Sequence, residues 1–231
     1  MRIKIFPSII FALLISLHSC REHHTHVPDR FVELGAYLSN AEIELRYYST
    51  NNFIGDTIRG YERNKCFISR EAAEALAKVA SEVSEDGYIL KIFDAYRPQR
   101  AVDHFVEWAK RSDDTLMKYK YYPELDKDRL FPEGYIMERS GHTRGSTVDL
   151  TLVYRAGPLK GQEIDMGSGW DYFGARSWGA FRGITEEQYQ NRQYLKEVMV
   201  MHGFQPIQEE WWHFSLEDEP YPDTYFDFPI R

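Results

Sequence analysis

The apolar positions divide the chain into one continuous run and a body of short amphipathic elements. Ile5 to Leu17 is apolar apart from Pro7, Ser8 and Ser16, and it follows Arg2 and Lys4. Spanning a bilayer takes about 20 apolar residues, so this run is short for a membrane helix and reads as an export signal. In the body, Glu42 to Tyr48 sets Ile43, Leu45 and Tyr47 against mostly polar neighbours, which predicts a half-buried strand. Ser69 is placed to cap a helix reaching about Ser84, whose Ala73, Leu76, Ala77, Ala80 and Val83 share one face. Asp86-Gly87 stops it, and Tyr88 to Phe93 predicts a strand. Pro98 stands at the first position of the next helix, with Ala101, Val102, Phe105, Val106 and Ala109 as its buried stripe. It also biases Arg97 away from helical geometry and leaves it on a loop. Val148 to Tyr154 predicts a further strand. Thr185 and Gln188 form a capping box for a helix reaching about His202, with Tyr189, Leu195, Val198 and Met199 inward and Gly203 as its stop. Trp211 to Leu216 predicts the last strand.

Strands and helices are interspersed without a steady βαβ rhythm. That pattern predicts an α+β domain over residues 31–231, with a largely antiparallel sheet packed by helices. Two stretches carry no regular pattern. Residues 112–139 are Tyr-rich and charged, and residues 155–184 hold eight glycines or prolines and five aromatics. Long excursions of this kind predict lids or binding loops.

Composition narrows the function. The length of 231 residues suits one domain, and 28 basic against 36 acidic residues give a net charge of -8. An acidic chain without a basic run is a poor partner for nucleic acid. Two cysteines, Cys20 and Cys66, exclude an all-cysteine zinc site and a disulfide scaffold. The first ends Leu17-His18-Ser19-Cys20, which resembles a lipobox. The chain therefore divides into an export signal at 1–20 with Cys20 as lipid anchor, a tether at 21–30, and the folded body. This predicts an exported, periplasmic, membrane-anchored lipoprotein. His23, His24 and His26 of the tether read as a solvated linker. Loss of the signal removes Arg2 and Lys4 and takes the net charge to -10. Cys66 is then a single thiol, expected to be buried.

Of eight histidines, four lie in the signal and tether. His104 and His202 sit on predicted helices and read as structural. His142 and His213 remain. His142 lies in Ser-Gly-His-Thr-Arg-Gly-Ser-Thr-Val-Asp, residues 140–149, where Gly141 and Gly145 let the chain reverse so that His142 and Asp149 face one point. With His213 they make a three-ligand zinc set, and three ligands leave a fourth position open for water. Glu210 is the candidate base, with Glu209 as the fallback. Residues three apart on a straight strand face opposite sides, so the chain must bend near Glu210–Trp211 if Glu210 and His213 share a site. Spacing alone leaves open an accidental triplet and a solvated acidic turn; geometry decides.

At these residues the sequence resembles the bacterial D-alanyl-D-alanine dipeptidases of the VanX type, zinc peptidases that share a fold with Hedgehog signalling domains. The resemblance is carried by FDAYRPQRAVDHF (93–105), SGHTRGSTVDLTLV (140–153), DMGSGWDYF (165–173), EEWWHF (209–214) and EPYPDTYFDFP (219–229). It implies one zinc held by His142, Asp149 and His213, Glu210 as general base and acid, and Arg97 stabilising the oxyanion. It further implies that Ser140 and Asp171 hold the substrate's amino group. The usual Ser-Ser-His is Ser-Gly-His here, and Ala95 replaces a common glycine. The activity implied is hydrolysis of the small dipeptide D-Ala-D-Ala to two D-alanines, in cell-wall turnover or scavenging. A D,D-carboxypeptidase and a non-catalytic zinc-binding lipoprotein are the rival readings. Asp171 argues against the first, and Arg97 with Glu210 against the second. Tyr96, Trp170, Tyr172, Phe173, Trp211 and Trp212 flank these residues, so part of the aromatic load is expected to be pocket wall and not only core.

Overall fold

Two long apolar strands organise the chain in the computed structural model, which describes residues 26–231. The signal at 1–20, Cys20, His23 and His24 lie outside the described residues. The elements run β1 (Phe31–Glu33), α1 (Leu34–Tyr37), β2 (Glu42–Ile43), β3 (Phe67–Ser69), α2 (Arg70–Glu85), β4 (Tyr88–Asp94), α3 (Gln99–Ala109), α4 (Lys118–Tyr121), β5 (Thr147–Tyr154), α5 (Glu186–Met201), β6 (Phe204–Pro206) and β7 (His213–Leu216). The main sheet has the order β2-β4-β5-β7-β6 and is antiparallel except at β2–β4, while β1 and β3 pair separately. The α+β reading with a largely antiparallel sheet therefore holds.

Helix α2 packs on β4 and against α5, and α5 packs on β6. The small side chains Ala72, Ala73, Ala75 and Ala80 are buried and let α2 lie close. Its first turn is capped by Ser69, whose Oγ accepts from Ala72 N at 3.4 Å. The capping box of α5 is complete, with Gln188 N to Thr185 Oγ1 at 3.2 Å and Thr185 N to Gln188 Oε1 at 2.9 Å. Cys66 is a buried free thiol, and burial raises its pKa well above the ordinary value. His104 accepts from Arg59 N, and His202 bonds to Glu82, so both are structural. Among the described residues no helix is long and apolar enough to cross a membrane.

Several elements differ from expectation, each for a tertiary reason. The strand predicted over 42–48 covers only Glu42–Ile43, and Arg46–Tyr48 form a 3-10 turn instead. There Arg46 bonds Glu44 and lies over the Phe93 ring, while Tyr47 is drawn into the interior. Pro98 is the N-cap rather than the first helical residue, with extended ψ of 146°. The last strand begins at His213, because Trp211 and Trp212 are used in a turn in which His213 N donates to Glu210 O at 3.3 Å. Tyr189 is half-buried under Arg182, and the inward position of α5 is taken by Arg192, which donates to the carbonyls of Met166, Arg176 and Trp178. Strand β5 is buried along both its faces from Thr147 to Val153, where alternation alone suggests one.

Candidate metal centre and active site

The site grows out of the register of β5 and β7. Asp149 and His213 are direct cross-strand partners, so their side chains leave the same side of the sheet as neighbours. His142 comes from the 3-10 turn Gly141–Arg144 immediately before β5. Ser140 caps that turn, accepting from His142 N at 3.3 Å. Gly145 ends it at φ 89°, and a Cβ there would lie 2.2 Å from the Phe31 ring. At Gly141 a Cβ would lie 2.8 Å from Thr147 Oγ1.

This folding brings three ligand atoms together. His142 Nε2 lies 3.2 Å from Asp149 Oδ1 and 3.3 Å from His213 Nδ1, and the latter two are 3.1 Å apart. Tetrahedral ligands at zinc distances of about 2.0–2.1 Å are themselves about 3.3 Å apart. Asp149 Oδ1 is buried without a hydrogen-bond donor, as a ligand oxygen should be. His142 Nδ1 faces the Ala95 carbonyl at 2.7 Å and must donate there, which turns the Nε2 lone pair toward the other two ligands. Burial outweighs the pull of Asp149 and lowers the His142 pKa, favouring the neutral form that can ligate. Burial works against the Asp149 charge, but the two imidazoles outweigh it and hold the carboxylate ionised. The donor set fits zinc.

The three ligands line a cavity of about 290 Å³, together with Arg97, Ser140, Asp171 and Glu210. The bend required at Glu210 is present, and Glu210 Oε2 lies 3.4 Å from His213 Nδ1. Glu209 is exposed and does not line the cavity. The side chains of His213 and Glu210 keep 13% and 18% of their surface, so both are reachable from the cavity. Burial raises the Glu210 carboxyl to about 7, against the pull of His213. Arg97 reaches in from the loop after β4. Its Nε donates to Asp94 Oδ2 at 2.9 Å, and its guanidinium lies over Tyr47 and Phe105. Burial opposes the Arg97 charge, but Tyr47, Asp94 and the other neighbouring acids outweigh it and keep the guanidinium protonated. Asp171 is buried at φ 58° and accepts from Tyr47 OH at 2.8 Å. Among the described residues no cation pairs with it. Burial, then Asp149 and Glu210, raise its pKa well above the carboxylate range.

All seven residues singled out in the body of the sequence therefore reach one cavity. Ser140 does so with its oxygen already engaged as a cap, which leaves its hydroxyl proton as the part free to meet a ligand. The aromatic expectation holds in part. Of the six aromatics named, only Phe173 lines the cavity, and its other aromatic walls are Tyr47, Phe53, Phe105 and Tyr135. Tyr96 is stacked on Phe228, Trp211 bonds Ser168, and Trp170 stands behind Asp149. Sequence reading passed over Tyr47 and Asp94. Asp94 is the last residue of β4, three residues before Arg97, and that adjacency was the available signal. Tyr47 had none beyond alternation.

The family model described as D-ala-D-ala dipeptidase, Peptidase_M15, matches residues 28–231. A D-alanyl-D-alanine dipeptidase of Enterococcus faecium is 39% identical over 201 residues, covering 87% of this chain and 98% of that one. One from Enterococcus faecalis is 40% identical over 200 residues with the same coverage. One from Escherichia coli is 33% identical over 185 residues, covering 80% and 83%. The match runs through every segment that supplies the cavity, from Tyr47 to Ser215, and the chain belongs to the Peptidase_M15 family of D-Ala-D-Ala dipeptidases.

Proposed function

We propose that the protein is a zinc dipeptidase that hydrolyses D-Ala-D-Ala to two D-alanines. The observation that carries this reading is Asp171, a buried carboxylate with no cation partner among the described residues, facing the cavity of the three-ligand set. A free ammonium group is the ion that such a carboxylate lacks, and a dipeptide supplies one two bonds from its scissile carbonyl carbon. Its arrival favours the ionised form of Asp171, with Tyr47 OH already placed to hold one of the oxygens.

His142, Asp149 and His213 hold the zinc. When bound, the metal supplies Lewis acidity toward the carbonyl and lowers the pKa of water. The chain's own groups do the rest. Glu210, with a carboxyl raised to about 7 by burial, takes the proton of the attacking water and delivers it to the leaving amine. Arg97, fixed by Asp94, stands as the cationic donor for the oxygen that becomes negative. Gly134, Tyr135 and Ile136 from one excursion and Asp171 and Phe173 from the other wall the cavity. Its volume of about 290 Å³ suits a small dipeptide.

The purified protein, loaded with zinc, is assayed on D-Ala-D-Ala and on its N-acetyl derivative. The free dipeptide is cleaved and the acetylated one is not. Equal cleavage of both overturns the dipeptidase reading in favour of a carboxypeptidase.

We also propose that the chain is exported and held at the membrane through lipid on Cys20, and serves cell-wall turnover or scavenging. The support is the charged start, the short apolar run and the Ser-Cys that ends it. Labelling with radioactive palmitate marks the wild type and not Cys20→Ser. A cytoplasmic, unlabelled wild-type protein overturns it.

A further inference from the structure

The metal ligand Asp149 has two oxygens, and the structure treats them differently. Oδ1 has no hydrogen-bond donor and faces the two imidazoles at 3.1 and 3.2 Å. Oδ2 points the other way and accepts the indole Nε1–H of Trp170 at 3.2 Å. Arg97 Nη2 lies 3.7 Å from Oδ2, beyond hydrogen-bond distance, and Arg97 is engaged through its Nε with Asp94. Trp170 is itself locked. It is 2% exposed, its ring centroid is 5.0 Å from that of Tyr47 and 5.5 Å from that of Phe93, and the Arg46 guanidinium lies over it.

We propose that Trp170 is a positioning residue of the metal centre, holding Asp149 Oδ2 away so that Asp149 binds zinc through one oxygen only. The inference rests on the zinc reading above. An unheld carboxylate can rotate and chelate through both oxygens, filling the position that the reaction needs open. The indole hydrogen bond opposes that rotation and, by fixing the ligand in advance, strengthens zinc binding. A second consequence follows from the chain itself. Asp171 is the next residue, and its φ of 58° makes it the only non-glycine with positive φ among the described residues. One peptide bond therefore joins the group that sets the metal ligand to the carboxylate that meets the substrate ammonium. The strained conformation is held by a side chain on either side of that bond, Trp170 against Asp149 and Asp171 against Tyr47.

Trp170→Phe keeps an aromatic ring and deletes the N–H. Zinc affinity is read by competition with a chromophoric chelator, coordination by the visible spectrum after cobalt substitution, and folding by the melting temperature of the metal-free protein. The expected result is zinc binding about 10- to 100-fold weaker than wild type, and a weaker cobalt spectrum from a higher coordination number. The metal-free melting temperature stays close to wild type. Wild-type zinc affinity and cobalt spectrum in Trp170→Phe overturn the proposal. If that variant does not fold, benzothienylalanine at position 170 keeps the outline of the indole and replaces only its N–H, and the same readings decide. A wild type that takes up zinc but leaves D-Ala-D-Ala intact overturns the function and not this inference. A wild type that takes up no zinc overturns both.

Discussion

Glu210 and Asp171 are both carboxyls raised by burial, yet their neighbours give them different work. Glu210 touches His213 and opens to the cavity, so it is placed to move a proton. Asp171 is closed in and held by Tyr47, so it is placed to meet a charge. Glu210→Gln should lower kcat by about 10²- to 10⁴-fold while metal analysis still finds one zinc per chain. Asp171→Asn should lower kcat/KM on the free dipeptide by roughly 10- to 150-fold, the value of a hydrogen bond to a charged group at about 1.5–3 kcal/mol. Asparagine tolerates the left-handed backbone, so its melting temperature should stay near wild type. At this scale the sequence was readable where residue type implies chemistry, as at His142, Asp149, His213 and Glu210. The roles of Tyr47 and Trp170 were hidden, because their hydrogen bonds to Asp171 and Asp149 join positions far apart in the chain.

Among the elements, β5 and the turn before it carry most of the site. The turn depends on Gly145, whose φ of 89° and contact with Phe31 leave no room for a side chain. Gly145→Ala should destabilise the protein by about 1–3 kcal/mol and weaken zinc binding by displacing His142, measured by chemical denaturation and chelator competition. Thr185→Ala removes the capping box of α5, a helix that lines no part of this cavity. It should cost about 1 kcal/mol of stability and leave kcat/KM unchanged. Helix starts were legible because caps are local: Ser69 and Thr185 act within three residues. Strand lengths were not. Where β2 and β7 begin and end was set by the pull of Glu44 and Phe93 on Arg46, and by the turn that Glu210 and His213 close.

For the whole molecule, the ligands sit on a sheet whose core is complete without a metal. Leu150, Leu152, Phe204, Phe214 and Trp212 are all within 1% of full burial. Chelation should therefore abolish activity and leave the far-UV circular dichroism intact. Zinc at about 100 times its Kd should add about 2.7 kcal/mol of stability by mass action, seen as a higher melting temperature. Fold class was legible from element order, since alternating short strands and capped helices without a βαβ rhythm leave few alternatives. The way two excursions close one cavity was not, because apart from Asp171 nothing in residues 112–139 or 155–184 marks which side chains turn inward.

Phe31, which fills the space beside Gly145, also places the metal turn close to the start of the fold. It is the first residue of the first strand, so the fold begins against the turn that carries His142. Only the ten residues 21–30 separate it from Cys20. Fully stretched, ten residues reach about 35 Å. A protein lipidated at Cys20, as proposed, is thus on a short leash with its metal turn at the leashed end. Catalysis by a protein so anchored would be confined to the solvent near the membrane, and lengthening the leash would move it outward.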